Sequence, residues 1–323
     1  MDRVVNVLEV ARALCESTVF RNKCHIRPMT EAFAELNRIF GIRNGDDAAA
    51  IPDGDGYLLL AAEGIMASLV RQNSYLAGRC AVLANVNDIY AMGGRPLAMV
   101  DVIGSPDGVS ASEICRGMRD NAIRFRVPVV GGHLLRTVVD TSVALAILGK
   151  AKRLITSFDA RPGDVLLLVT KTRGLWLEDM GFWNCTLEAN DANLVPDLEL
   201  LPQAAEAGLV AAGKDVSMAG IVGTTVMLAE SSGIGVAIDL DAIVPPPGVE
   251  LVPWLLAFMS YGFVLAVAPS RVEALKALFE GRGLCATPIG SFLRERRVLI
   301  CQGGKQAVLW DLAAGPFAGS AAE

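Results

Sequence analysis

Apolar residues at helical spacing open the chain: Val4, Val7, Leu8, Ala11 and Leu14 predict a helix over residues 2–15, with Asp2 as its cap. Pro28 starts a second helix in which Phe33, Leu36 and Phe40 share one face, and Gly41 stops it. The apolar run Tyr57–Ala62 reads as a strand closing on Glu63 and Gly64. Residues 77–92 form a helix apolar almost all round, with Val82, Val86 and Ile89 on one side and Ala81, Ala84 and Met92 on another. Asn85 and Asp88 interrupt it at i, i+3 and project from one face, where burial demands a specific partner. A strand at Leu97–Ile103 precedes a capping box at Ser110–Glu113, which opens a helix with Ile114, Met118, Ala122 and Phe125 toward the core. A short strand, Val127–Val130, runs into Gly131-Gly132-His133, and Thr141–Leu148 is a nearly continuous apolar strand. The order β-α-β-α-β-β predicts one sheet with helices against one face and an antiparallel last pair.

The texture changes at Lys150–Arg161, which ends in the turn Arg161-Pro162-Gly163-Asp164. A boundary there divides a domain of residues 1–153 from one of residues 154–315, with residues 316–323 as a disordered tail. The second domain starts on the strand Val165–Thr170. The stretch Lys171–Leu201, with Trp176, Phe182 and Trp183 among acidic residues, reads either as a lid or as a packed irregular loop. Asp215-Val216-Ser217 leads into a helix ending near Glu230, and Val236–Leu240 is a strand. Leu251–Ser270 carries no charge and is long enough to cross a bilayer. Its Pro253, Ser260 and Gly262 instead favour a short helix over Trp254–Met259, a turn, and a buried strand over Phe263–Ala268. A helix at 270–281 and two strands complete the pattern.

With 323 residues, 52% hydrophobic and 20% charged, the chain can bury two cores. A net charge of −6 argues against a nucleic-acid partner held by bulk electrostatics, so an anionic ligand would need local donors. Seven cysteines without a C-x-x-C motif read as free thiols in a reducing, cytoplasmic compartment. Two histidines exclude a multi-histidine metal centre. The opening Met-Asp-Arg-Val-Val has no apolar core flanked by basic residues, so neither a secretory signal nor a membrane partner is expected.

Polar groups stand at the ends of several apolar elements: Asp46 and Asp47, Glu63, Asn85 and Asp88, and Gly131-Gly132-His133. Adjacent aspartates repel and call for a cation or strong donors. Hard carboxylate oxygens, completed by water or phosphate, suit Mg²⁺. Gly45, Gly131 and Gly132 would let backbone N–H groups approach phosphates. On spacing alone, an acidic metal site and ordinary loop acids remain equal readings.

The motifs Gly45-Asp46-Asp47-Ala48-Ala49, Asn85-Val-Asn-Asp88-Ile-Tyr-Ala-Met92-Gly93-Gly94-Arg95-Pro96 and Gly131-Gly132-His133 occur in that order. Ala160-Arg161-Pro162-Gly163-Asp164 and Lys214-Asp215-Val-Ser217 follow them. Together they resemble the superfamily of aminoimidazole ribonucleotide (AIR) synthetase, thiamine-monophosphate kinase, selenophosphate synthetase and the hydrogenase-maturation dehydratase, in an AIR-synthase-related branch. The resemblance implies a two-domain α+β PurM-like fold, with the N-terminal sheet pairing into a barrel across a homodimer and a C-terminal α/β sandwich. It also implies ATP and Mg²⁺ in a cleft lined by both domains, with Asp46, Asp47, Glu63 and Asp88 on the metal. Gly45, Asn85, Gly131, Gly132, Ser217 and Lys171 would lie near the nucleotide, and Asp215 and His133 would be the candidates for proton transfer.

Several positions depart from the family pattern. His133 stands where kinase-like members carry an aspartate, and Met218-Ala219-Gly220 lacks another acid. Ser260-Tyr261-Gly262-Phe263 replaces Gly-Gly-Glu-Asp, and Ser157 stands near an expected arginine. The implied function is ATP- and Mg²⁺-dependent phosphorylation or activation of an oxygen of a small-molecule substrate. Two alternatives stand beside it: a nucleotide-binding paralogue without turnover, acting as subunit or sensor, and an Mg²⁺-dependent phosphohydrolase.

Overall fold

The computed structural model describes residues 6–186 and 190–319. One compact unit comprises Asp47–Leu154 and Glu188–Glu206, and the other Met1–Asp46, Ile155–Leu187 and Ala207–Glu323. Relative to a division after residue 153, two segments change side. The cause lies in specific contacts: Cys15 Sγ donates to Leu309 O at 3.4 Å, and Arg95 pairs with Glu199 at 2.8 Å and Glu206 at 2.6 Å.

The first unit is built on a five-stranded sheet of β1 (Ala49–Asp53), β2 (Gly56–Gly64), β3 (Arg95–Gly104), β4 (Val129–Leu135) and β5 (Ser142–Ala151), in the order β1-β2-β5-β3-β4. The expected antiparallel last pair does not form, because β4 lies parallel to β3 and β5 inserts between β2 and β3. The crossover helix Gly108–Phe125 forces the parallel pairing. It starts on Asp107, whose Oδ1 accepts from Ser110 N at 2.7 Å, so the expected Ser110 box is unused and Glu113 pairs with Arg116 instead.

The helix Ser74–Ala91 packs on β2, β3 and β5 and is buried almost all round. Along β5, Val143, Leu145 and Ile147 face these helices, while intervening residues point to the opposite face. Among the described residues that opposite face is left open: Leu60, Val100, Val102 and Leu148 are 48%, 47%, 47% and 37% exposed.

In the second unit seven strands run in the order Lys305–Asp311, Arg297–Gln302, Gly235–Asp239, Cys285–Leu293, Val165–Thr170, Gly262–Val267, Ala212–Asp215. Every residue of the helix Gly220–Ser231 is buried. The first helix is Val7–Glu16, capped by Asn6; the expected cap Asp2 lies outside the described residues. The helix Arg27–Phe40 ends on Gly41 in the left-handed region (φ 70°), but no residue of it is buried, so the Phe33/Leu36/Phe40 face is exposed.

The stretch after Lys171 is ordered into the short strands Leu175–Leu177 and Phe182–Asn184, with Trp183 buried edge-on to Trp254. The helix expected at Trp254–Met259 runs over Leu251–Leu255, and Phe258–Met259 pairs as a strand with Phe182–Asn184. Among the described residues no helix is long and apolar enough to cross a membrane.

The expected disordered tail is corrected over residues 316–319. Phe317 and Ala318 are buried, and Glu230 accepts from the backbone N–H of Phe317 at 2.6 Å, Ala318 at 2.9 Å and Gly319 at 3.3 Å. Residues 320–323 lie outside the described residues.

Candidate functional site

Loops converge at one end of the seven-stranded sheet. Thr170 closes its strand opposite both Gly262 and Cys285, and Asp215 closes the edge strand opposite Phe263. The loops are stitched together: Val216 N donates to Gly262 O at 2.8 Å, Met259 N to Val216 O at 3.2 Å, and Thr170 Oγ1 to Tyr261 O at 3.1 Å. Three residues singled out from the sequence, Lys171, Asp215 and Ser217, thereby reach the same end.

Asp215 is buried, and the Lys171 ammonium lies 5.2 Å from the centre of the Tyr261 ring. Burial pushes the nearby Cys185 thiol up, against a smaller opposing pull from the Ser260 hydroxyl and the Lys171 charge. Ser217 Oγ accepts from Lys23 Nζ at 3.2 Å. Nothing in the sequence marked Lys23, which lies in the turn Asn22–Ile26, 194 residues away. Beyond Ser217, Ala219 (φ 76°) and Gly220 (φ 64°) turn the chain into the Gly220–Ser231 helix.

Asp46 also belongs to this unit, and its surroundings differ from those of an open metal ligand. Its Oδ1 accepts from Ser157 N at 3.0 Å and Ser157 Oγ at 2.6 Å, and Ser157 Oγ accepts from the buried Lys214 Nζ at 3.0 Å. Ser157, near where an arginine was expected, thus joins the Asp46 carboxylate to Lys214. Gly45 before it adopts φ 114°.

In the five-stranded unit Asp47 is half-buried in the turn leading to β1, and Glu63 is exposed near the end of β2, opposite Leu145. Asp88 is buried in the last turns of the Ser74–Ala91 helix. Asn85 is fully buried; its Nδ2 donates to Ala81 O at 2.9 Å, while its Oδ1 has no donor among the described residues. Ile89, next to Asp88, packs against Gly149, four residues along β5 from the Leu145 level of Glu63, about 13 Å at strand rise.

Gly131, Gly132 and His133 are exposed in β4, and His133 is in register with Val102 on the uncovered face. At Gly132 a Cβ would meet the Asp101 carboxyl at 2.5 Å. Asp101, half-buried on the helix-covered face, has its carboxyl pushed up by burial. The only signal for it is a single acid in the run Leu97–Ile103. Among the described residues no three His, Cys, Asp or Glu side chains form a group able to hold a metal ion.

Residues 45–151 match the family model described as AIR synthase related protein, N-terminal domain, and residues 161–300 that of the C-terminal domain. An uncharacterized protein of Synechocystis sp. is 47% identical, over 86% of this chain and 87% of its own. A selenide, water dikinase of Geobacter metallireducens is 26% identical over 82% of this chain and 89% of its own. Among solved structures, T. maritima PurL complexed with ATP superposes with a TM-score of 0.69 at 18% identity, over 88% of this chain and 47% of PurL. The chain thus spans about half the length of that PurL.

Proposed function

The chain belongs to the AIR synthase-related family, and from that premise we propose that it is an ATP- and Mg²⁺-dependent enzyme that phosphorylates an oxygen of a small molecule. The product is either the phosphate ester itself or an amide or carboxyl oxygen made into a leaving group. The acceptor oxygen attacks the γ-phosphorus, a new O–P bond forms as the bond to the ADP oxygen breaks, and the acceptor's proton passes to a base. The observation that carries this reading is the meeting of Lys171, Asp215 and Ser217 at one end of the seven-stranded sheet. A selenide, water dikinase among the relatives and ATP in the related PurL structure support it.

In this reading Asp215 takes the acceptor's proton, and Ser217 and Lys171 hold an oxyanion. In the other unit, Asp47 and Asp88 serve Mg²⁺, Glu63 its outer waters, and Asn85 with the backbone of Gly131 and Gly132 the nucleotide. Mg²⁺ is commonly held by one or two carboxylates with phosphate oxygens and water, so hard oxygen donors without a three-acid cage fit an ion that arrives with a nucleotide. When bound, the ion supplies charge neutralisation at the transferred phosphoryl group. Asp46, fixed by Ser157, orients rather than binds, and Gly45 gives it the turn it needs. His133, on the uncovered sheet face, is left out of the proton transfer.

Calorimetric titration with Mg-AMPPCP should show saturable binding that Asp47→Asn weakens by about tenfold. Equal affinity in the variant would remove the metal role of Asp47. The tie of Asp46 to Ser157 and Lys214 favours a second reading, a nucleotide-binding subunit or sensor without turnover. ADP release in the presence of pooled small metabolites decides between the two.

The proposal includes a homodimer, since Leu60, Val100, Val102 and Leu148 form an apolar sheet face that a second copy would cover. Sedimentation should give a dimer at micromolar concentration, and Val100→Glu with Val102→Glu should give monomers. A monomeric wild-type protein rejects the barrel.

A further inference from the structure

We infer that the ammonium of Lys214 takes the place of a divalent ion at Asp46, so that the first of the two adjacent aspartates is neutralised from within the chain and carries no metal. The inference concerns the charge at Asp46 and does not depend on turnover; only the comparison with Asp47 rests on the reading above.

Asp46, Ser157 and Lys214 belong to one unit and are brought together by backbone. The segment after Leu154 lies beside the edge strand Ala212–Asp215: Thr156 N donates to Ala211 O at 2.9 Å, and Gly213 N to Thr156 O at 3.0 Å. Ser157 is fixed in turn by Ser232, whose Oγ donates to Ser157 O at 2.8 Å. Asp46 reaches it from the loop that follows Gly41, where the Arg43 guanidinium stacks over the Phe158 ring at 4.0 Å.

Chemistry sets the direction of each bond. An ammonium has only donors, so Lys214 Nζ gives a hydrogen to Ser157 Oγ at 3.0 Å. The hydroxyl proton goes to Asp46 Oδ1 at 2.6 Å, and Ser157 N donates to the same oxygen at 3.0 Å. Each bond polarises the next, with a positive charge at one end and a negative one at the other. Lys214 is 4% exposed and Ser157 0%, so solvent ions screen this pairing little, and a buried ammonium calls for a carboxylate within reach. Two hydrogens fill the lone pairs of Oδ1. A divalent ion drawn to Asp46 would approach against an ammonium one hydroxyl away. Asp46 therefore does not fit the metal role that the family resemblance implies for it.

Electron paramagnetic resonance of the full chain with AMPPCP, using Mn²⁺ in place of Mg²⁺, counts the bound ions. Asp46→Asn keeps an oxygen for the Ser157 donors. It should bind Mn²⁺ in wild-type number and within about threefold of wild-type affinity, whereas Asp47→Asn should lose about tenfold. An ion lost, or an affinity about tenfold weaker, in Asp46→Asn overturns the inference. A second measurement needs no metal: urea titration of Asp46→Asn, Lys214→Met and the double variant. In its unfolding constant the double variant should be destabilised at least about tenfold less than the two single effects multiplied. Independent effects overturn the charge pairing. Wild type that takes up no Mn²⁺ while this coupling holds sinks the metal-dependent phosphotransfer reading and leaves the Lys214–Asp46 pairing standing.

Discussion

Glu230→Ala should lower the free energy of unfolding by about 3–5 kcal/mol, measured by urea titration. Glu230 is buried in the last turn of the helix Gly220–Ser231, and its carboxylate accepts from the backbone N–H groups of Phe317, Ala318 and Gly319. Alanine leaves the Phe317 and Ala318 donors buried without this acceptor, and it empties the space the side chain filled. Glu230→Gln keeps one oxygen and should cost less. It also provides a separate readout at Cys24, whose thiol is pushed up by burial first and by the Glu230 charge second. Removing that negative charge stabilises the thiolate, so Cys24 in the Gln variant should alkylate faster at pH 8. A loss under about 1 kcal/mol in the Ala variant would show that the C-terminal segment is not held by this carboxylate.

Gly78→Ala or Gly117→Ala should each destabilise the five-stranded unit by about 3 kcal/mol. The helices Ser74–Ala91 and Gly108–Phe125 cross at these two residues. A Cβ on Gly78 would overlap the carbonyl oxygen of Ile114, and one on Gly117 that of Tyr75. Backbone cannot rotate away as a side chain can, so the helices must separate and lose contact along their length. Intrinsic helix propensity acts the other way, favouring Ala over Gly by about 1 kcal/mol. A net loss therefore reports the packing alone. Gly64→Ala is the control, since nothing lies within 4 Å of its Cβ position. Wild-type stability in both helix variants would mean that the two helices pass farther apart than this crossing requires.

Much of the fold was legible because its signals are local. The helix spanning Ser74–Ala91 showed its burial in its composition, Gly41 and Gly163 stop or turn the chain in positive-φ conformations, and the strand Val165–Thr170 lies where its apolar run ended. β1 was missed because its Pro52 and its small alanines lack a strand pattern, although a partner strand makes them one. The insertion of β5 between β2 and β3 was beyond local reading, since pairing order depends on which edges remain after the crossover has formed.

The candidate site divides the same way. Lys171 could be named because it follows a strand, and loops at strand ends are exposed to ligands. Asp215 and Ser217 could be named because the run Lys214-Asp215-Val-Ser217 resembles a family motif. Lys23 and Asp101 could not, and Ser157 stood out only as a departure from the family pattern. Lys23 and Ser157 matter through partners far away in sequence, and Asp101 through the space that Gly132 leaves for it. The buried Glu230 read as the polar end of a helix and proved to be the anchor of a segment expected to be loose.

The grouping of the first 46 residues with the later part of the chain has a practical outcome for dissecting the protein. Splitting the gene after codon 153 would not separate two self-sufficient halves. The downstream polypeptide would be synthesised without the helix Val7–Glu16 that covers the strands Arg297–Gln302 and Lys305–Asp311, and would expose apolar surface to other molecules. The upstream polypeptide would carry that helix with nothing to pack it on, and would lack the glutamates that neutralise Arg95. Co-production of both fragments in one cell, with recovery as a complementing pair, is the form in which the halves should be obtained.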